Sequence, residues 1–283
     1  MTYQTMIDCE ALERGLAQGW RIVDCRFSLA DTERGRRAYL ESHIPGAVYA
    51  HLDEDLSGPI VKGLTGRHPW PSVQAATALF SSWGIDAQTQ VVAYDDAGGA
   101  IAARLWWMLR WLGHDPVAVL DGGFPAWQAA GLPVVSGVQM PEAPKAFQPH
   151  PRPEMIADSN RVDAIRQDPE YVLIDARGEK RFTGEEEPID PVAGHIPGAK
   201  SLPFPGNLDA SGFFLPAPNL ATRFKKILDG RPPGKAVIYC GSGVTATHNL
   251  LAMRHVGLGD GCLYTESWSG WIAPADRPIA TGS

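Results

Sequence analysis

The chain is written twice. Ile22-Val23-Asp24-Cys25-Arg26 returns as Leu173-Ile174-Asp175-Ala176-Arg177, and His43-Ile44-Pro45-Gly46-Ala47 returns as His195-Ile196-Pro197-Gly198-Ala199. Val91-Val92-Ala93-Tyr94-Asp95 pairs with Ala236-Val237-Ile238-Tyr239-Cys240, and 121–127 pairs loosely with 265–271. The offsets stay between 144 and 152 residues, so a single fold must serve both halves. A chain of 283 residues gives each copy the length of an ordinary domain. The stretch 139–153 holds Pro141, Pro144, Pro149, Pro151 and Pro153. Proline removes amide donors and fixes φ, so this stretch reads as an extended connector. The expected organisation is a domain at 1–138, a linker at 139–155 and a second domain at 156–283.

Each half reads as α/β. Short apolar runs of strand length lie at 22–24, 91–94 and 117–120, then at 171–175, 236–239 and 262–265. They alternate with helix-like runs at 73–83 and 101–112, then at 159–167 and 246–256. His255 and Gly257 suit the end of the last helix, by charge and by the left-handed cap. Alternation of this kind predicts a mainly parallel sheet flanked by helices in each half. Ligands of such sheets gather at the carboxyl ends of the strands.

The second half carries one feature the first lacks. In Tyr239-Cys240-Gly241-Ser242-Gly243-Val244-Thr245-Ala246 a cysteine sits where a buried strand turns into a helix. Backbone N–H groups of a glycine-rich turn converge there, and the helix dipole adds partial positive charge. Such a place favours a thiolate over a thiol. Asp95 holds the corresponding position in the first half, which therefore reads as a structural partner that walls the pocket.

Composition narrows the function. With 25 basic and 32 acidic residues the net charge is −7, which argues against nucleic acid or an anionic membrane as partner. The four cysteines, Cys9, Cys25, Cys240 and Cys262, form no CxxC pair and no zinc-finger spacing, so neither a metal nor a disulfide framework is expected. The expected compartment is the reducing cytoplasm. No signal peptide is visible at the start, and 101–112 is too short to span a bilayer.

The duplicated His-Ile-Pro-Gly-Ala, the Asp-x-Arg strand ends and the Cys240 loop together resemble the two-domain rhodanese-like sulfurtransferases. The loop is most similar to the 3-mercaptopyruvate branch, where Gly-Ser follows the cysteine; the thiosulfate branch is the sister alternative. The resemblance covers nearly the whole chain. It implies two tandem rhodanese-like domains, no cofactor, and a persulfide on Cys240. A small anionic donor gives up sulfur to Cys240, and an acceptor such as cyanide or a thiol then removes it. Gly241, Gly243, Val244 and Thr245 would supply the amides of the donor site.

The same resemblance assigns Arg181 to the donor's anionic group, by bidentate pairing. On the residues alone, Arg181 beside the acidic run 185–187 reads as a surface pair worth little. Ser242, His68 and Asp53 match a proton relay of the mercaptopyruvate branch. Without the resemblance, His68 is equally a hydrogen-bonded structural residue and Asp53 a turn former. His43 and His195 occur in both copies and read as structural. Trp106, Trp107 and Trp111 read as core, while Trp268 and Trp271 suit either core or pocket.

Two departures stand out. The family pattern has a second donor-binding arginine nine residues after the first, and here that place is Asp190. The segment Tyr264-Thr265-Glu266-Ser267-Trp268 replaces the usual Asp-Gly-Ser-Trp. Two rivals remain in view. A dual-specificity phosphatase needs an arginine at the sixth position after its cysteine, and Ala246 stands there. A non-enzymatic binding module would not need Cys240 in an intact glycine loop. The default oligomeric state is a monomer.

Overall fold

The computed structural model describes residues 2–139 and 143–282; Pro141 of the expected connector lies outside the described residues. Two compact units form, and each takes a segment from the other half of the sequence. The first contains Met1–Gly58, Pro71–Arg152 and Ala210–Phe214, the second Pro59–Trp70, Pro153–Asp209 and Leu215–Ser283.

The first unit runs β1 (Met6–Ile7), α1 (Cys9–Leu16), β2 (Arg21–Asp24), α2 (Arg34–Glu41), β3 (Ala47–Tyr49), α3 (Val73–Ser82), β4 (Val91–Tyr94), α4 (Ala102–Trp111), β5 (Val117–Leu120) and α5 (Gly123–Ala129). Its sheet has the order β1-β5-β4-β2-β3, parallel at every pairing. Asp8 and Ser72 start α1 and α3 by accepting the backbone N–H groups of Ala11 and Ala75, which would otherwise lack partners. All ten residues of α4 are buried, and the helix packs on β4 and β5. Trp106, Trp107 and Trp111 are therefore core, as expected. Arg104, also buried on α4, gives its Nε–H to Leu56 O at 2.9 Å.

The second unit runs β6 (Ile156–Ala157), α6 (Ser159–Ile165), β7 (Val172–Asp175), α7 (Glu179–Thr183), β8 (Lys200–Ser201), α8 (Ala217–Leu228), β9 (Ala236–Tyr239), α9 (Ala246–His255), β10 (Cys262–Tyr264) and α10 (Ser267–Trp271). Its sheet repeats the same permutation, β6-β10-β9-β7-β8, again parallel. The four-residue strands β7 and β9 are buried throughout, which is what helices on both faces of a parallel sheet require. Gly257 follows α9 with φ +74°, the left-handed cap expected from sequence. Trp268 and Trp271 are fully buried with Tyr239 and Tyr264, so they are core.

The duplication extends to the polar interior. Arg26 forks onto Asp24 and lies over the Phe124 ring; Arg177 forks onto Asp175 and lies over the Trp268 ring. His43 and His195 each place Nδ1 against a backbone oxygen, of Tyr39 and Phe182, and stack on that residue's ring. Both are structural, as the sequence suggested.

Candidate active site

Cys240 follows the last residue of β9 and is 1% exposed. Its N–H donates to Ser267 Oγ at 3.1 Å, and that hydroxyl donates to Tyr264 O at 2.9 Å. The carbonyls of Cys240 and Gly241 accept the N–H groups of Trp268 and Ser269, at 3.0 and 2.8 Å. The loop is thus fixed along α10. Ser267 holds φ at 52°, a strained value for a residue with a side chain, and its hydroxyl bridge offsets the strain. Gly243 has φ +74°, and any side chain there would run into the Thr265 carbonyl. The carbonyls of Val244 and Thr245 accept from Thr247 and His248, so they point into α9. In a planar trans peptide the following N–H points the other way. The amides of Thr245 and Ala246 therefore face out of the helix's N-terminal end, where an anion is stabilised.

Arg181, on α7, gives its Nε–H to Glu187 at 3.0 Å and Nη2 to Asp190 Oδ2 at 2.9 Å. Glu187 also accepts from Arg177 at 3.2 Å. Burial pushes the Glu187 carboxyl up, but Arg181 and the amides of Asp190 and Ile189 outweigh it and hold the group below its ordinary value. The acid at position 190 is thus a partner of Arg181. Its other oxygen, Oδ1, accepts from Arg67 Nη1. Arg67 lies on the segment Pro59–Trp70, which folds with the second unit and is pinned there by Arg67 N–H to Ser269 Oγ at 3.0 Å. Sequence reasoning passed over Arg67. The signal was its place next to His68, between a glycine and a proline turn.

His68 Nδ1 lies 2.7 Å from Ser242 Oγ, and both residues are buried. Of the expected site residues, Cys240, Gly241, Ser242, Gly243, Val244, Thr245, His68 and Arg181 all belong to the second unit. Asp53 belongs to the first. There its N–H donates to His51 Nδ1 at 3.2 Å, and burial pushes its carboxyl above the ordinary value against the pull of His51. Glu266 accepts a hydrogen bond from Ser159 Oγ, which also meets the Tyr264 hydroxyl at 2.7 Å. Ala246 opens α9 and is fully buried.

The rhodanese-like domain model matches residues 8–130 and again 158–274, one match for each copy of the repeat. The chain belongs to the two-domain rhodanese-like sulfurtransferase family. It is 49% identical over 262 residues to a protein of Pseudomonas aeruginosa named "Probable 3-mercaptopyruvate sulfurtransferase", covering 92% of each chain. It is 35% identical to "Thiosulfate/3-mercaptopyruvate sulfurtransferase 2" of Arabidopsis thaliana, covering 93% of this chain and 82% of that one. The solved 3-mercaptopyruvate sulfurtransferase of Leishmania major superposes with a TM-score of 0.84 at 31% identity, over 94% of this chain and 73% of that one.

Within this rhodanese-like chain the first unit is an internal comparison for the second. Asp95 takes the place of Cys240, and its carboxylate accepts four amide N–H groups, from Ala97, Gly99, Ile101 and Ala102, each at 2.8 Å. The same strand-to-helix turn therefore aims four amides at a carboxyl group in one copy, and burial pushes that carboxyl above its ordinary value against their pull. Burial pushes the Cys25 thiol well up and the Cys262 thiol to about 12, and it raises Cys9 with help from Asp8. Those three cysteines are held as thiols. Among the described residues no helix is long and apolar enough to cross a membrane.

Proposed function

We propose that the protein moves a sulfane sulfur from 3-mercaptopyruvate to a thiophilic acceptor through a persulfide on Cys240. The single observation that carries the donor choice is the 2.7 Å contact between His68 Nδ1 and Ser242 Oγ beside the cysteine loop. Thiosulfate needs no proton moved, whereas mercaptopyruvate does. The Cys240 thiolate attacks the donor sulfur, the sulfur–carbon bond breaks, and its electron pair stays on carbon as the pyruvate enolate. The Ser242–His68 pair passes the donor's thiol proton to that carbon, which leaves pyruvate and an anionic Cys240 persulfide. The loop amides and the N-terminus of α9 hold the anion. Cyanide or a thiolate then attacks the outer sulfur, which leaves as thiocyanate or a new persulfide and restores the Cys240 thiolate.

Arg181 grips the donor carboxylate in this reading, and Asp53 completes the relay. In this reading the domains are 1–138 and 156–283 about the linker 139–155, and the first has no nucleophile of its own. Four cysteines that make no disulfide fit a reducing cytoplasm, and the chain works as a monomer. Comparing kcat/KM for mercaptopyruvate and thiosulfate with cyanide as acceptor tests the donor. Mercaptopyruvate is expected to lead. A preference for thiosulfate by more than about tenfold would replace this donor with the sister branch's.

A further inference from the structure

A chain of polar side chains ties the first turn of α9 to α8. Asn207, His248 and Asn249 are each fully buried. Arg223, on α8, donates Nε–H to Asn207 Oδ1 at 3.0 Å and an Nη2 hydrogen to Pro203 O at 2.6 Å. That contact orients the Asn207 amide. Its NH2 then faces Asn249 Oδ1 at 2.6 Å and His248 Nδ1 at 3.1 Å. Opposite a donor, Nδ1 must present its lone pair, so His248 is neutral with its hydrogen on Nε2. All of these residues belong to the second unit, with Cys240.

Arg223 brings a charge that no carboxylate matches. It makes no ion pair among the described residues, and burial, with no anion against it, pushes it below its ordinary value. Its guanidinium lies on the backbone of Gly206, where a side chain would meet Cζ at 2.8 Å. Arg67, Arg177 and Arg181, by contrast, meet Asp190, Asp175 and Glu187, so that cluster adds no net charge.

The repeat puts a guanidinium at the same point of the first unit. Arg110 and Gly113 recur as Arg254 and Gly257, so Arg104 takes the place of His248. Arg104 is fully buried and donates to Leu56 O in the connection after β3, as His248 meets Asn207 in the connection after β8. One copy carries the cation on the helix itself; the other carries a neutral imidazole there and brings the cation from α8. A cation tied to the first turn of a helix is opposed by the dipole. An anion held at the same N-terminus reverses that sign.

We infer that Arg223 is a positioning residue for the Cys240 anion: through Asn207 and His248 it fixes the first turn of α9 on the turn Phe204–Asn207, and its unmatched charge stabilises the thiolate and the persulfide at the helix N-terminus. The persulfide part rests on the sulfurtransferase reading above; the thiolate part stands apart from it.

The test is the pH profile of Cys240 alkylation by iodoacetamide in donor-free enzyme, with the rate of Cys240→Ser subtracted. Wild type is compared with Arg223→Gln, Arg223→Met and Arg223→Lys, and thermal unfolding checks that each is folded. His68, Arg67, Arg181, Asp190 and Glu187, the charged and titratable groups around the loop, stay in place throughout. Removing the charge in Arg223→Gln or Arg223→Met is expected to raise the alkylation midpoint by about 0.5 pH, the order of one charge acting through a protein interior, and to cut the thiolate below the midpoint about threefold. Arg223→Lys keeps the charge and should keep the midpoint within about 0.2 pH. A wild-type midpoint in a folded Arg223→Gln or Arg223→Met would overturn the proposal even if stability fell, since a purely structural role moves stability and not the profile. A midpoint in Arg223→Lys shifted as far as in Arg223→Gln would overturn it too, because charge would then have no part. Failure of the wild type to take sulfur from either donor would bring down the sulfurtransferase reading, while the alkylation midpoints would still decide the role of Arg223.

Discussion

Ser242 Oγ and His68 Nδ1 lie 2.7 Å apart although 174 residues separate them in the chain. The contact exists because Pro59–Trp70, written in the first half, folds with the second unit. Gly66 permits this close approach, since a side chain there would meet the Glu266 carbonyl and Ser269 Oγ at 2.7 Å. The pair joins a hydroxyl in the cysteine loop to an imidazole, the contact on which the proposed proton relay rests.

A proton route matters for one donor and not the other. Ser242→Ala and His68→Gln are each expected to lower kcat with mercaptopyruvate by about 100-fold, within the usual range for general acid–base catalysis. With thiosulfate the loss should stay within about threefold on the same grounds. Stopped-flow measurement of the donor half-reaction separates the cases. Equal losses with both donors would mean that the pair only shapes the loop.

Arg181 sits between two carboxylates and over Gly241. Arg181→Ala should cost about 2–4 kcal/mol in donor kcat/KM, the range for losing a charged partner in a partly desolvated site. The acceptor half-reaction should be unaffected. Wild-type donor efficiency in this variant would remove Arg181 from the site.

Asp95 tests the anion cradle away from the chemistry. Its two oxygens accept four amide N–H groups. An asparagine keeps the shape but turns an NH2 toward two of those donors. Asp95→Asn is therefore expected to lower unfolding free energy by about 2–4 kcal/mol in denaturant titrations, since buried donors lose their acceptor. A loss under about 0.5 kcal/mol would show that the turn does not depend on bound negative charge.

Two buried histidines set a pH dependence of stability. Burial lowers both His43 and His114 below the ordinary value of 6.5. The unfolded chain therefore binds more protons than the folded one in this window, and stability rises with pH. The contribution is present above 6.5 and is lost as pH falls through that value towards the folded pKa. Urea midpoints should fall between about pH 7.5 and about pH 6, and His114→Gln should flatten the slope. A midpoint that rises over this interval would contradict the assignment.

Much of this was legible in the sequence because three of the buried four-residue strands, β4, β5 and β9, carry no charged residue. β4, β5 and β9 stand where their runs indicate, and the repeat supplies a second copy of each clue. β1, β3, β6 and β8 were not seen, since two or three residues carry no period. The helix α8 was missed although Leu220, Phe224 and Leu228 recur every fourth residue; the prolines at 216 and 218 mask its start. In the site, Cys240 announces itself through its glycines, and His68 and Ser242 through the family pattern. Arg67 was hidden because its ion pair with Asp190 depends on a segment written in the first half that folds with the second unit. Asp190 stands where the family pattern has an arginine, and only the structure shows it as the carboxylate that joins two guanidinium groups.

Intact-mass spectrometry after exposure to a donor tests the persulfide most directly. Wild-type protein treated with mercaptopyruvate and freed of excess donor is expected to gain one sulfur atom, to lose it on adding cyanide, and to gain none as Cys240→Ser. No added sulfur in the wild type, or an adduct that persists in Cys240→Ser, would contradict the account.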